Sequence, residues 1–333
     1  MACIRTKYQQ FRTLTPAANE FYGLDRIDQR DLPLNNLYNY SDSGLVVYIL
    51  DTGTPINPGQ FTIIPDPFPG GPHYRSASAF DTFGGGGLDY DDHGSSVASI
   101  VAGITFGVAK HARPLSVKVC TDAAGCPASN VIAGINWIIA NHQGVAVANM
   151  SFGGPPSSSE DTAVRNLMAA GVLAVIAAGN DNNNAAGHSP ARVVEALTVG
   201  ATMKDDSRAS YSNFGAVDLY APGGSVALSQ AIPTAGSSGL RGFDGTSAAA
   251  PHVAGVAALY WQLNPTANAY EVGGAIKKGS TWNKVTNLPF AGPDNLLYSR
   301  FDMQPSHIGG TSSVYRYYNG VLATISTLPT STN

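Results

Sequence analysis

Five short runs of this chain are apolar without alternation: Leu45 to Leu50, Leu115 to Val119, Val145 to Asn149, Leu173 to Ala178 and Ala196 to Gly200. A strand with one wet face alternates, and a strand buried on both faces does not, so these runs predict a parallel sheet covered on both sides. Helical patterns lie between and after them. Ser129 to His142 keeps Val131, Ile135 and Ile138-Ile139 on one side. Ser157 to Ala170 opens in a serine run with Glu160 and Asp161 in its first turn, where the helix dipole favours acids. Ala248 to Leu263 is small and apolar nearly all round, as a central helix must be. The series reads β-α-β and predicts a three-layer α/β/α sandwich with a mainly parallel central sheet.

Two regions break the pattern. Pro55 to Gly87 is rich in Pro and Gly and reads as surface loops around a site. After Phe301 the chain turns polar, with one strand-like piece from Val314 to Ile325. The division expected is residues 1–20 as an N-terminal extension, 21–301 as the main domain and 302–333 as a tail.

Composition narrows the function classes. Charged residues make up only 13% of the 333, the net charge is −4, and no Lys/Arg block stands out. Neither nucleic acid nor a membrane surface is an expected partner. No apolar run approaches the roughly 18 residues that cross a bilayer, and Met1 to Arg5 lacks the apolar core of a signal peptide. Cys3, Cys120 and Cys126 cannot all pair internally. Cys120 and Cys126 either close a small loop or remain thiols.

Three short motifs supply the parts of one reaction. Acyl transfer from a serine needs the serine on a rigid turn, a histidine base, a carboxylate to orient the base, and donors for the oxyanion. Asp51 ends the first apolar strand and is followed by Thr52-Gly53. Asp-Thr-Gly also suggests a carboxylate dyad with Asp42-Ser43-Gly44, but the two lie too close along one strand to face each other. His93 stands at the start of a small-residue helix, in Asp92-His93-Gly94-Ser95-Ser96. Ser247 begins the Ala-rich helix, in Gly245-Thr246-Ser247-Ala248-Ala249-Ala250-Pro251. Asn180, in Ala178-Gly179-Asn180, follows a buried strand and can donate its amide to an oxyanion. His252 is a decoy inside the serine's helix. The order Asp, His, Ser along the chain differs from that of chymotrypsin and of the α/β-hydrolases.

On these motifs the chain resembles the subtilases, and within them the proteinase K-like branch. Tyr22 to Asp31, Phe106 to Lys110, Asn149 to Gly154 and Tyr211 to Gly215 carry the same resemblance. It implies a serine endopeptidase acting on polypeptides through Asp51, His93 and Ser247, with Asn180 in the oxyanion hole and no cofactor in catalysis. It implies a substrate cleft between Ser151-Phe152-Gly153 and Ala124-Gly125-Cys126, with Ala178 and Gly179 beside the S1 pocket. It further implies secretion, a monomer, and a prodomain or protein inhibitor as partner. Calcium is implied at Asp25, Asp28, Gln29 and Asn35, the last standing where the family usually has Asp. The competing expectation is that Asp25 and Asp28 pair with Arg26 or Arg30. Ser96 replaces a second histidine of the family's motif, so altered packing is expected there.

Overall fold

The computed structural model describes residues 22–301, apart from 36–37, 39, 41–42, 54–57, 62–73, 122, 225–231, 237–238 and 290–291, and the backbone of three strands beyond them. A six-residue helix α1 (Tyr22–Ile27) comes first. The main run is β1 (Val46–Asp51), β2 (Ala77–Asp81), α2 (His93–Ala102), β3 (Arg113–Lys118), α3 (Ala128–Asn141), β4 (Ala146–Met150), α4 (Ser158–Ala169), β5 (Val172–Ala177), β6 (Leu197–Thr202) and β7 (Leu219–Pro222). A hairpin follows, β8 (Ile232–Gly236) and β9 (Gly239–Phe243), then α5 (Thr246–Leu263) and α6 (Ala269–Gly279).

The seven strands β1 to β7 form one sheet in the order β2-β3-β1-β4-β5-β6-β7, and every pairing in it is parallel. β4, β5 and β6 are buried at every residue, which is why they carry no alternation. α2 and α5 pack together, as do α3 and α4, giving the expected three layers. The chain builds β2 and β3 on one side of β1 and then crosses to β4 on the other. The carboxyl ends of β1 and β4 therefore flank a topological switch point, where such sheets leave a crevice.

Two readings need correction. Within Pro55 to Gly87 lies β2, the edge strand, half exposed and broken by an irregularity between Ser78 and Phe80. It offers no apolar run to signal it. The tail holds three antiparallel strands rather than one piece: β10 (Pro305–Ile308), β11 (Thr311–Tyr318) and β12 (Val321–Thr327). The segment 1–20 lies outside the described residues, as does Asp42.

Candidate active site

β1 delivers Asp51 to the edge of the crevice, where it is 1% exposed. Its Oδ1 accepts the Thr52 N–H at 2.7 Å and lies 2.7 Å from His93 Nδ1. The carboxylate thus fixes both the tilt of the imidazole and its tautomer, with the proton on Nδ1.

His93 is the first residue of α2. The turn before it is built around Asp89, which is fully buried and not part of a solvated loop as its acidic neighbourhood suggests. Asp89 accepts hydrogen bonds from the Thr52 hydroxyl (2.8 Å), the N–H groups of Asp91 (3.1 Å), Asp92 (3.0 Å) and Ser95 (2.7 Å), and the Ser95 hydroxyl (2.6 Å). The Thr52 hydroxyl also accepts from Gly94 N–H at 2.9 Å. The acid turn and the base turn are therefore one hydrogen-bonded unit. Gly94 has to be glycine: a Cβ there would sit 2.9 Å from Gly53 O. Lys118 clamps the same unit from below, donating to the carbonyls of Thr52 and Leu88. One turn into the helix, Ser96 is fully buried and its hydroxyl has no hydrogen-bond partner among the described residues.

The imidazole is pulled in two directions. Burial pushes its pKa down, but the charge and hydrogen bond of Asp51, with Asp91 and Asp89 behind, outweigh that, and the net shift is upward. The Phe243 ring stands nearly perpendicular to the imidazole, with centroids 5.2 Å apart and 77° between the planes.

Ser247 stands in the first turn of α5 behind Gly245, whose φ of 109° only glycine adopts easily. The turn is held by uncharged groups. Gly245 N–H reaches Gly223 O at 3.0 Å and the Tyr211 hydroxyl at 3.1 Å. Thr246 donates through N–H (2.9 Å) and hydroxyl (3.0 Å) to Asn180 Oδ1. That anchors the amide by its oxygen and leaves its two N–H donors for a ligand. The Ser247 hydroxyl donates to Ser151 O at 2.9 Å, and Ser151 Oγ donates to Ser247 O at 3.0 Å. Pro251 explains the second bond. It sits in the second turn of α5 and has no N–H for the carbonyl four residues back, which is that of Ser247. The Ser151 hydroxyl takes its place. His252 is 1% exposed, bonded to Ala248 O at 2.8 Å and pushed by burial down to about 4, a core histidine.

A cavity of about 460 Å³ opens beside Ser247. It gathers Ser151, Phe152, Gly153, Ala178, Gly179 and Asn180 from the residues singled out in the sequence. Ala124, Gly125 and Cys126 do not line it. They belong to a loop after β3 that is closed by a Thr121–Gly125 bridge and a Cys120–Cys126 disulfide. Asp181 and His188, which no motif flags, do line it.

Asp25 and Asp28 are both 5% exposed. Asp25 Oδ1 accepts from Asn35 N–H at 3.3 Å, and the Gln29 amide nitrogen is taken up by the carbonyls of Asp31 and Pro33. The guanidinium of Arg26 bonds Asp206 at 2.6 and 2.9 Å. That of Arg30 reaches Thr281 and the carbonyls of Gly279 and Ser280, and lies over Tyr298. Among the described residues no group of three His, Cys, Asp or Glu is placed to hold a metal.

A profile of the subtilase family (Peptidase_S8) matches residues 42–297. An extracellular serine proteinase of Thermus sp. (strain Rt41A) is 43% identical over 88% of this chain and 69% of its own length. Alkaline serine exoprotease A of Vibrio alginolyticus is 41% identical over 85% of this chain, which spans about half, 51%, of that protein. The crystal structure of a cold-adapted subtilisin-like serine proteinase superposes with a TM-score of 0.76 at 40% identity, covering 85% of this chain and 99% of the other. With the Asp51–His93 pair, the Ser247 turn and the cavity between β4 and β5 in place, the chain belongs to the subtilase family and is a serine endopeptidase.

Proposed function

We propose that Ser247 is the nucleophile, His93 the general base, Asp51 its orienting carboxylate, and the Asn180 amide with the Ser247 N–H the oxyanion donors. The 2.7 Å bond from His93 Nδ1 to Asp51 carries this reading, because it leaves Nε2 unprotonated and free to accept. The Ser247 hydroxyl turns from Ser151 O to Nε2 when substrate enters, a tightening common when an apo site is filled. Its oxygen attacks the peptide carbonyl, and the proton passes to His93. The tetrahedral oxyanion meets the Asn180 N–H and the N–H of Ser247. The latter lies in the first turn of α5, where a helix offers no internal acceptor. The imidazolium, stabilised by Asp51, then protonates the leaving amine, and water clears the acyl-enzyme. Substrate lies along Ser151-Phe152-Gly153 and across to the disulfide-closed loop of Ala124-Gly125-Cys126, pairing as a strand.

The test is Ser247→Ala. It loses casein hydrolysis and labelling by a fluorophosphonate together; undiminished labelling would remove Ser247 from the mechanism.

The catalytic domain is residues 21–301. The names of the relatives point to work outside the cell. Calcium at Asp25 and Asp28, with Gln29 and Asn35, suits the donor set, since two buried carboxylates and two amide oxygens are hard ligands. This site would stabilise the fold without entering the reaction. A calcium-dependent rise in melting temperature that Asp28→Asn abolishes is the expected result.

A further inference from the structure

Asn180 is carried by the turn that leaves β5, and that turn is gripped from two sides. On the side of α5, Thr246 holds the Asn180 amide oxygen, and Gly179 N–H donates to the Thr246 hydroxyl at 3.1 Å. On the other side lies Asn213, which is fully buried and does not line the cavity. Its N–H donates to Gly179 O at 2.9 Å. Its Nδ2 donates to Ala178 O at 2.9 Å. Its Oδ1 accepts from Asp181 N–H at 3.0 Å and from Asn183 N–H at 2.8 Å. One residue thus bonds the chain on both sides of Asn180.

The clamp suits an amide. Two N–H groups meet its oxygen and a carbonyl meets its NH2, so the partners themselves decide which end is which. A carboxylate would satisfy the two N–H groups but set a buried charge against Ala178 O. An apolar side chain would leave all three backbone groups without these bonds. Gly179 completes the fit. Its φ is 101°, and a Cβ there would lie 2.4 Å from Asn213 Nδ2. Two further bonds, Asn182 N–H to Tyr211 O at 2.8 Å and Phe214 N–H to Asn183 O at 2.9 Å, brace the two segments side by side.

We infer that Asn213 is a positioning residue for the oxyanion hole, holding the turn so that the Asn180 amide stands in place before charge develops on the substrate. This rests on the reading of Asn180 as an oxyanion donor. Such a donor favours the transition state only when it is preorganised, and the tolerance is about 0.5 Å. Thr246 sets the direction of the amide. Asn213 sets the place of the backbone that carries it, without meeting substrate.

The experiment is a double-mutant cycle on the full chain, with Asn213→Ala, Asn180→Ala and the two combined. kcat and KM are measured on a blocked tetrapeptide p-nitroanilide, per active site titrated with a fluorophosphonate, so that unfolded protein drops out. Asn213→Ala should lower kcat about tenfold, a part of the roughly 10²–10³ that losing the donor itself costs, with KM little changed. In the Asn180→Ala background the same substitution should change kcat by less than about twofold, because the group it positions is gone. Asn213→Ser carries the same cycle, with the same expectations, where the alanine variant does not fold. An unchanged kcat per site beside a lowered melting temperature would make Asn213 merely structural and overturn the inference. An equal loss in both backgrounds would also overturn it, since Asn213 would then act through some other group. If Asn180→Ala alone leaves kcat per site unaltered, the oxyanion reading beneath fails instead.

Discussion

The two helix starts that meet at the active site are held in opposite ways. The turn into α2, which presents His93, is a carboxylate structure: Asp89 gathers five donors, and Asp51 and Asp91 stand beside it. The turn into α5, which presents Ser247, is held by a tyrosine hydroxyl, an amide and backbone carbonyls. Asp244, the acid just before Gly245, has its pKa raised by desolvation, away from the charged form. The chemistry explains the division. The base must become a cation, so negative charge around it helps. The nucleophile's side must receive an oxyanion, so a carboxylate there would oppose the reaction while helix N–H groups favour it.

The largest effect expected from breaking this division is at Asn180. Asn180→Ala removes the neutral donor and should lower kcat by about 10²–10³ with little change in KM. That magnitude was measured on the matching donor of subtilisin and is borrowed here. A fall confined to KM would place Asn180 in ground-state binding instead.

On the α2 side the counterpart is Asp89→Ala. Five donors lose their acceptor in a fully buried spot. Unsatisfied buried groups are costly, so a loss of about 3 kcal/mol or more is expected in denaturant unfolding. Activity should fall in the fraction that stays folded, because the Thr52–Gly94 link is released. Unchanged stability would show that the turn is held by Lys118 and the backbone instead.

What the sequence made legible follows the same line. β4, β5 and β6 are buried throughout, so their apolar runs announced them. Asp51, His93, Asn180 and Ser247 each sit at an element end beside a glycine or within a short motif, so local pattern found them. Asp89 was hidden because its burial depends on Thr52, 37 residues away, folding over it. His188 was hidden because contacts between distant segments, the Gly154–Ser189 bridge among them, bring its loop to the cavity, and Asp181 because an acid after Asn180 completes no motif. β2 was hidden as an exposed edge. Contacts made between distant loops leave no periodicity behind.

Tyr211→Phe tests the neutral turn more gently. The hydroxyl accepts from Gly245 N–H and donates to Gly224 O at 2.6 Å. Gly245 N–H keeps its bond to Gly223 O. The expected cost is therefore about 1 kcal/mol in thermal unfolding, with a small fall in kcat and no change in the pH profile. A shifted profile would mean that this turn also tunes the base.

The smallest effect is the one that reads the carboxylate environment directly. The reaction needs neutral His93, so kcat/KM rises with pH along a limb set by its pKa in the free enzyme. Burial pulls that pKa down, and the charges of Asp51, Asp91 and Asp89 raise it further, so the limb lies above the ordinary histidine value. Asp91→Asn removes one of those charges. Its side-chain oxygen can still accept from His93 N–H, which Asp91 does at 3.2 Å, so the turn is kept. Losing a negative neighbour destabilises the imidazolium, lowers the pKa and moves the limb toward acid, by less than about one pH unit. Added salt should move the unaltered enzyme the same way and the variant less, because part of what salt screens is already gone. A limb that moves toward alkali, or does not move, would mean that Asp91 acts through the backbone alone, and that the charge around the base comes from Asp51 and Asp89.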